Sequence, residues 1–165
     1  MQLHEHVGNS PPERTYHGII PVDARKRVII KEDGLNDAYL QSQDGSQDFN
    51  WGYGGGGPIR LAKALAADAF DDISYGEIFG LGFRDALVRT LPKDKPFVVS
   101  RDRLILEGLI HFTDLVNRSR LPEGKFFRDD IQKFIVKKDE VRAKMMSLLS
   151  QNALTNLVDS KFGIK

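Results

Sequence analysis

Residues 49–60 read F-N-W-G-Y-G-G-G-G-P-I-R, and the build of the chain turns on how that stretch is read. Phe49, Trp51 and Tyr53 alternate with Asn50 and Gly52, the period of a strand with three rings on one face. The pattern predicts the central, best-packed strand of a small antiparallel sheet. Gly54, Gly55, Gly56 and Gly57 then predict a sharp turn, and Pro58 suits the first position of a helix. Leu61, Ala62, Leu65 and Ala69 recur on one side of that helix. A face built partly of alanine lets it lie close against a sheet.

Upstream, Arg14 to Ile20 and Arg27 to Lys31 are short runs rich in β-branched residues around P-V-D-A-R-K, which predicts a hairpin. Residues 32–48 are loaded with Asp, Gly, Ser and Gln and read as an exposed loop. Downstream, Ser74 and Glu77 have the spacing of a capping box and open a second helix to about Leu91. Lys93 to Lys95 reads as a turn and Phe97 to Val99 as a short extended piece. Ser100 then caps a third helix through Leu104, Ile105, Gly108, Leu109, Phe112 and Val116. After Leu121-Pro122-Glu123-Gly124 the helical spacing resumes at Phe127, Ile131, Phe134 and Ile135. It runs on through Val141, Met145, Leu148 and Leu149 to Leu154, Leu157 and Val158. The expected fold class is therefore α+β, a small antiparallel sheet packed by helices with a helical C-terminal extension. Residues 1–13 are expected to be a flexible lead-in, 14–117 the core domain and 118–165 a basic helical extension.

The four glycines admit two readings. A strand, a glycine-rich turn and a helix N-terminus can present backbone N–H groups to an anion, helped by the helix dipole. Arg60 in the first turn and Lys63 one turn on would extend such a site, making Gly54, Gly55, Gly56, Gly57, Arg60 and Lys63 a candidate phosphate or nucleotide subsite. The established phosphate motifs are absent, since Pro58-Ile59-Arg60 follows the glycines and Ala64 follows Lys63. The spacing of Gly52, Gly54 and Gly57 fits G-x-G-x-x-G but lacks a βαβ setting. The other reading is architectural: a tight turn and close backbone approach also select glycine.

The block W-G-Y-G-G-G-G-P-I-R-L-A-K-A-L-A-A-D, preceded by Y-H-G and followed by a helix ending L-x-x-x-L-P, resembles a family of small bacterial, phage and plasmid proteins of unknown function. The resemblance covers Tyr16 to Ile105. It implies a cytosolic protein, often carried on mobile elements, and supplies no activity and no catalytic residues.

The 165 residues contain no cysteine, which removes disulfides, thiolate nucleophiles and cysteine-based zinc sites and suits a cytoplasmic setting. The N-terminus has no apolar core of a secretory signal, and no apolar run is long enough for a membrane span. The net charge of +1 divides into −4 over residues 1–117 and +5 over 118–165. Arg118, Arg120, Lys125, Arg128, Lys137 and Lys138, interleaved with Phe126, Phe127 and Phe134, are candidate nucleic-acid contacts. Phe127, Ile131 and Phe134 also stand at the spacing of a core face. His4 and His6 could hold a metal only weakly, and no cofactor or metal is expected. Asp68, Asp71, Asp72 and Glu77 are a candidate set for a divalent cation but read more simply as a solvated connection. No paired general acid and base is evident, so the reading leans away from an enzyme. It favours a binding protein with a protein partner or self-association, for which the apolar C-terminal residues from Met145 to Leu157 are candidates. Anion or nucleic-acid binding is the alternative.

Overall fold

A computed structural model describes residues 12–121 and 129–150. His4, His6, Lys125, Phe126, Phe127, Arg128, Leu154, Leu157 and Val158 lie outside them. Four strands, β1 (Arg14–Ile19), β2 (Arg27–Glu32), β3 (Ala38–Tyr39) and β4 (Phe97–Ser100), form one antiparallel sheet in the order β3-β2-β1-β4. Register sets Tyr16 opposite Ile30 and Val99, and Gly18 opposite Val28 and Phe97. Those six positions share one face, by strand alternation. Helices α1 (Gly56–Ala69), α2 (Ser74–Ala86), α3 (Arg101–Ser119) and α4 (Asp129–Leu149) complete the α+β architecture.

The expected hairpin, the strand near residue 97 and the Ser100 cap are present; the Ser100 hydroxyl accepts from the Arg103 backbone N–H at 3.2 Å. The stretch that opened the sequence reading is not a strand. Residues 49–55 are irregular, and β1 and β2 hold the middle of the sheet. Gly52 has φ +83°, a left-handed value that breaks the alternation, so Phe49 and Trp51 are buried while Tyr53 faces out. The stretch works as a plug. The Phe49 N–H bonds the Lys26 carbonyl at 2.8 Å, and the Trp51 indole N–H reaches the carbonyls of Pro92 and Lys95, both at 3.1 Å.

Three helix boundaries also differ from expectation. Helix α1 begins at Gly56, so Pro58 is its third residue. Helix α2 starts without the capping box. Asp72, two residues upstream, accepts from the Ser74 N–H at 2.8 Å and its hydroxyl at 2.7 Å, while Glu77 turns to lysines instead. It stops at Ala86 rather than Leu91, where Leu87 leaves helical torsion angles (φ −127°, ψ −63°), and a single 3-10 turn (Val88–Thr90) follows, whose Val88 carbonyl accepts from the Gly52 N–H at 3.0 Å.

One hydrophobic cluster runs through the whole described structure, from Tyr16 and Val28 through Trp51, Leu65 and Phe79 to Phe134 and Met145. Ile131, Phe134, Val141, Met145 and Leu148 of α4 all belong to it, and α4 packs on α2 and α3. Phe134 meets Phe112 edge to face at 5.8 Å. Burying one such side chain contributes about 1.5–3 kcal/mol, so this face alone holds α4 in place.

Candidate functional site

The glycine turn separates into positions that need glycine and positions that do not. Besides its left-handed φ, Gly52 lies so close to the next loop that a Cβ would stand 2.3 Å from Lys93 Cα. At Gly57 a Cβ would come within 2.7 Å of the Tyr53 hydroxyl. At Gly54 and Gly56 it would meet nothing within 4 Å, and neither has a left-handed φ. Gly55, the N-cap of α1, brings no side chain to the helix end. The first-turn N–H groups of Gly56 and Gly57 thus have no cap, and Pro58 contributes none.

Arg60 and Lys63, one turn apart on α1, line a recess of about 420 Å³ together with Gly56 and Ser42. The structure therefore brings Gly56, Arg60 and Lys63 to one place. Arg60 faces Asp44 at 3.7 Å, an exposed pair of small energetic weight. Hydrogen bonds from Ser42 and Ser46 hold the Asp44 carboxyl below its ordinary range.

A second recess, of about 450 Å³, adjoins the first, sharing Ser42, Gln43 and Lys63. Tyr39 and the 40–43 segment form one wall; the other is the remainder of α1 and the start of α2. Ala64 and Ala67 make a low floor. Close helix packing builds this wall: a Cβ on Gly76 would stand 2.6 Å from the Lys63 carbonyl oxygen. The Lys63 ammonium thereby reaches Glu77 at 2.9 Å, and Lys133 of α4 reaches the other Glu77 oxygen at 2.6 Å. These two lysines hold the Glu77 carboxyl below its usual range.

The far end of the groove is acidic and internally paired. Asp68 accepts from the Tyr16 hydroxyl at 2.7 Å and from Arg14 at 3.0 Å, and Arg14 also pairs with Glu32 at 2.6 Å. Burial, and then Asp68, push the Tyr16 hydroxyl pKa far up, so it stays a neutral donor. Asp71 pairs with Arg101. The Ser74 hydroxyl and N–H hold Asp72 below the ordinary carboxylate range. The acids that suggested a cation site thus have arginine, lysine or helix-end partners. Among the described residues no group of three or more His, Asp or Glu side chains is placed to hold a metal.

The basic residues singled out for nucleic acid are not gathered with this groove. Arg118 and Arg120 stand at the end of α3, where Arg118 pairs with Asp114 at 3.0 Å. Lys137 and Lys138 are on α4, with Lys137 3.9 Å from Glu140. Phe134 is buried, leaving its ring unavailable for stacking on a base. What sequence reasoning missed is the wall formed by Tyr39 and the 40–43 segment. Those residues carry no motif, and β3, two residues long, has no legible period.

Residues 15–106 match a family of unknown function, DUF6166. The chain belongs to that family. The match takes in the sheet, α1, α2 and the first turns of α3, so the whole groove lies inside the DUF6166 segment and α4 lies beyond it. No curated protein and no solved structure matches the chain.

Proposed function

We propose that the protein is a non-catalytic binding module that holds an extended segment of a partner protein along α1. The observation that carries this reading is the joining of two recesses at Lys63 into one groove from Gly56 to Asp71. That stretch of α1 and its end spans about 22 Å at 1.5 Å per residue, room for about six or seven residues of extended chain. The groove is open and mixed in character. Tyr39 and Ile73, 44% and 57% exposed, sit among charged groups, as at protein contacts rather than in enclosed small-molecule pockets. The dipole of α1 gives it polarity, favouring an acidic residue near Gly56 and Arg60 and a basic one near Asp71 and Asp72. The reading includes a cytoplasmic setting and carriage on a mobile element; the family resemblance supports both, and the cysteine-free sequence suits the first. No helix among the described residues is long and apolar enough to cross a membrane.

The test is selection from a displayed random-peptide library against the protein and its Ala67→Phe variant. Ala67 lies half-buried on the groove floor, so the larger ring fills the groove at a helix-propensity cost of about 0.5 kcal/mol. Peptides selected by the native chain are expected to lose binding to Ala67→Phe at least tenfold. A selection that enriches nothing, or peptides that bind both proteins alike, overturns the reading.

A second reading has one observation in its favour: Gly54 and Gly56 are glycine where neither space nor torsion requires it. Bare backbone beside Arg60 suits close approach of a phosphate. Under this reading Gly56→Ala and Arg60→Ala keep the fold and remove a thermal shift produced by inorganic phosphate or a mononucleotide. A native protein that shows no shift, or a shift that survives both substitutions, rejects it.

A further inference from the structure

The wall of the groove that faces α1 is an open sheet edge. Strand β3 is the last strand of the sheet and pairs with β2 on one side only. The Leu40 N–H donates to the Val28 carbonyl at 2.8 Å, so this residue and, two before it, Ala38 turn their backbone groups toward β2. In an antiparallel ladder the residue between two such positions turns its own groups away. The N–H and C=O of Tyr39 therefore point out from the sheet, and neither has a hydrogen-bond partner among the described residues. The chain runs on through Gln41 and Ser42 with no turn or bend, which carries the alternation to Gln41. Ala38, Tyr39 and Gln41 are all exposed.

Beyond this edge lies the recess of about 450 Å³, whose lining joins Tyr39, Leu40 and Gln41 to Ala64 and Ala67 of α1 and to Ile73. A sheet edge with a helix set alongside, and space between them, is the arrangement in which an extended peptide adds as a further strand. The other edge of the sheet lacks that space: Val98 of β4 is exposed and lines neither groove recess. Direction follows from the flanking ion pairs. Asp44, just past the wall, faces Arg60 near the start of α1, while Arg14 joins Glu32, before β3, to Asp68 near the end of α1. The wall thus runs opposite to α1. A strand added antiparallel to it, the more stable pairing per residue, runs with α1 from Arg60 toward Asp71.

We propose, resting on the reading of the groove as a peptide site, that the partner segment binds as a fifth strand of the four-stranded sheet, antiparallel to β3. The N–H and C=O of Tyr39 exchange two hydrogen bonds with one peptide residue, and those of Gln41 with the residue two before it. The peptide residue between them stands opposite Leu40. Its side chain points inward onto Ala64 and Ala67, while its own N–H and C=O turn away from β3. Affinity then comes from the peptide backbone and selectivity from alternate side chains. The partner is a segment with a free backbone, acidic toward its N-terminal end at Arg60 and basic toward its C-terminal end at Asp71 and Asp72.

The test takes a peptide selected by the native chain and lost on Ala67→Phe, and scans it by N-methylation of each backbone N–H and by alanine at each side chain. Two positions separated by one residue are expected to lose binding on the order of tenfold on N-methylation. The position between them is expected to tolerate N-methylation and to lose binding as alanine. On the protein, Gln41→Pro removes the outward N–H at an edge that accepts proline and is expected to weaken binding by a similar factor. Gln41→Ala keeps that N–H and is expected to leave binding unchanged. Melting followed by circular dichroism verifies that both variants fold, and the peptide scans decide alone should the proline variant not. A peptide that needs the open groove yet is indifferent to N-methylation, or whose two scans coincide, overturns strand addition and leaves the peptide groove standing. So does a folded Gln41→Pro that binds like Gln41→Ala. A selection that yields no peptide dependent on Ala67 overturns both.

Discussion

Trp51→Ala is expected to give the largest loss of stability of any single substitution in the chain. The ring is wholly buried and stands edge-on to Phe97 at 4.9 Å between centroids, with the Lys26 ammonium 4.9 Å over it. Removing a buried tryptophan leaves a cavity and costs about 3–5 kcal/mol. The substitution also takes the indole N–H from the carbonyls of Pro92 and Lys95, a further loss of about 1–3 kcal/mol. Domains of this size are stable by only about 5–15 kcal/mol, so the variant is expected to be unfolded or close to it at 37 °C. At about 2–4 °C per kcal/mol, a variant that still folds melts at least about 8 °C lower. Trp51→Phe keeps most of the volume, loses only the donor, and should fall between the two. Melting followed by far-ultraviolet circular dichroism decides the matter. A Trp51→Ala protein melting within about 3 °C of the native one would mean that the plug carries no tertiary energy, on the same scale.

Gly52→Ala comes next. An alanine held at φ +83° is strained by about 1–2 kcal/mol. Its Cβ would also press on Lys93 backbone atoms at 2.3 and 2.6 Å, which cannot rotate out of the way. The loop must move, which disturbs the Gly52 N–H bond to Val88 and the neighbouring Trp51. We expect a loss of at least about 2 kcal/mol, seen as a lower urea midpoint at unchanged slope. Four residues on, Gly56→Ala should act in the opposite direction. The methyl group has open space, φ is ordinary, and restricting the unfolded chain stabilises by about 0.4–1 kcal/mol. The pair gives the glycine run an internal control: equal effects at both positions would refute the division between required and unrequired glycines.

That division shows where the sequence was legible. The hairpin and the Ser100 cap could be read because their signals are local: β-branched runs around a turn, and a hydroxyl three residues before the N–H it meets. The α4 core face was also legible in its three- and four-residue spacing. Residues 49–53 misled because a strand and a buried irregular plug show the same alternation of large and small residues. Only the partners tell them apart, and those partners, Pro92, Lys95 and Val88, are about forty positions away. The capping box failed for a related reason. Glu77 has the right spacing, yet Lys63 and Lys133 attract it more strongly than a backbone N–H, and neither is near it in sequence. At the candidate site, Arg60 and Lys63 were visible as cations one turn apart. The wall facing them was not, since Ser42 and Gln43 are ordinary loop residues until the fold sets them opposite α1.

The strand order also governs how the molecule comes together in time. Strand β1, near the start of the chain, occupies an inner place in the sheet, and its second partner is β4, with Gly18 opposite Phe97 across 79 positions. During synthesis β2 can zip onto β1 at once, but the other edge of β1 stays open until β4 has left the ribosome. By then α1 and α2 have already been made and must fit inside the closing loop. Such long closures slow folding and lengthen the exposure of an unpaired strand edge to other nascent chains. In the folded chain the Trp51 indole holds the segment just before β4 from the other side, donating to the Pro92 and Lys95 carbonyls. The tryptophan is therefore a latch for the last strand as well as a stone in the core.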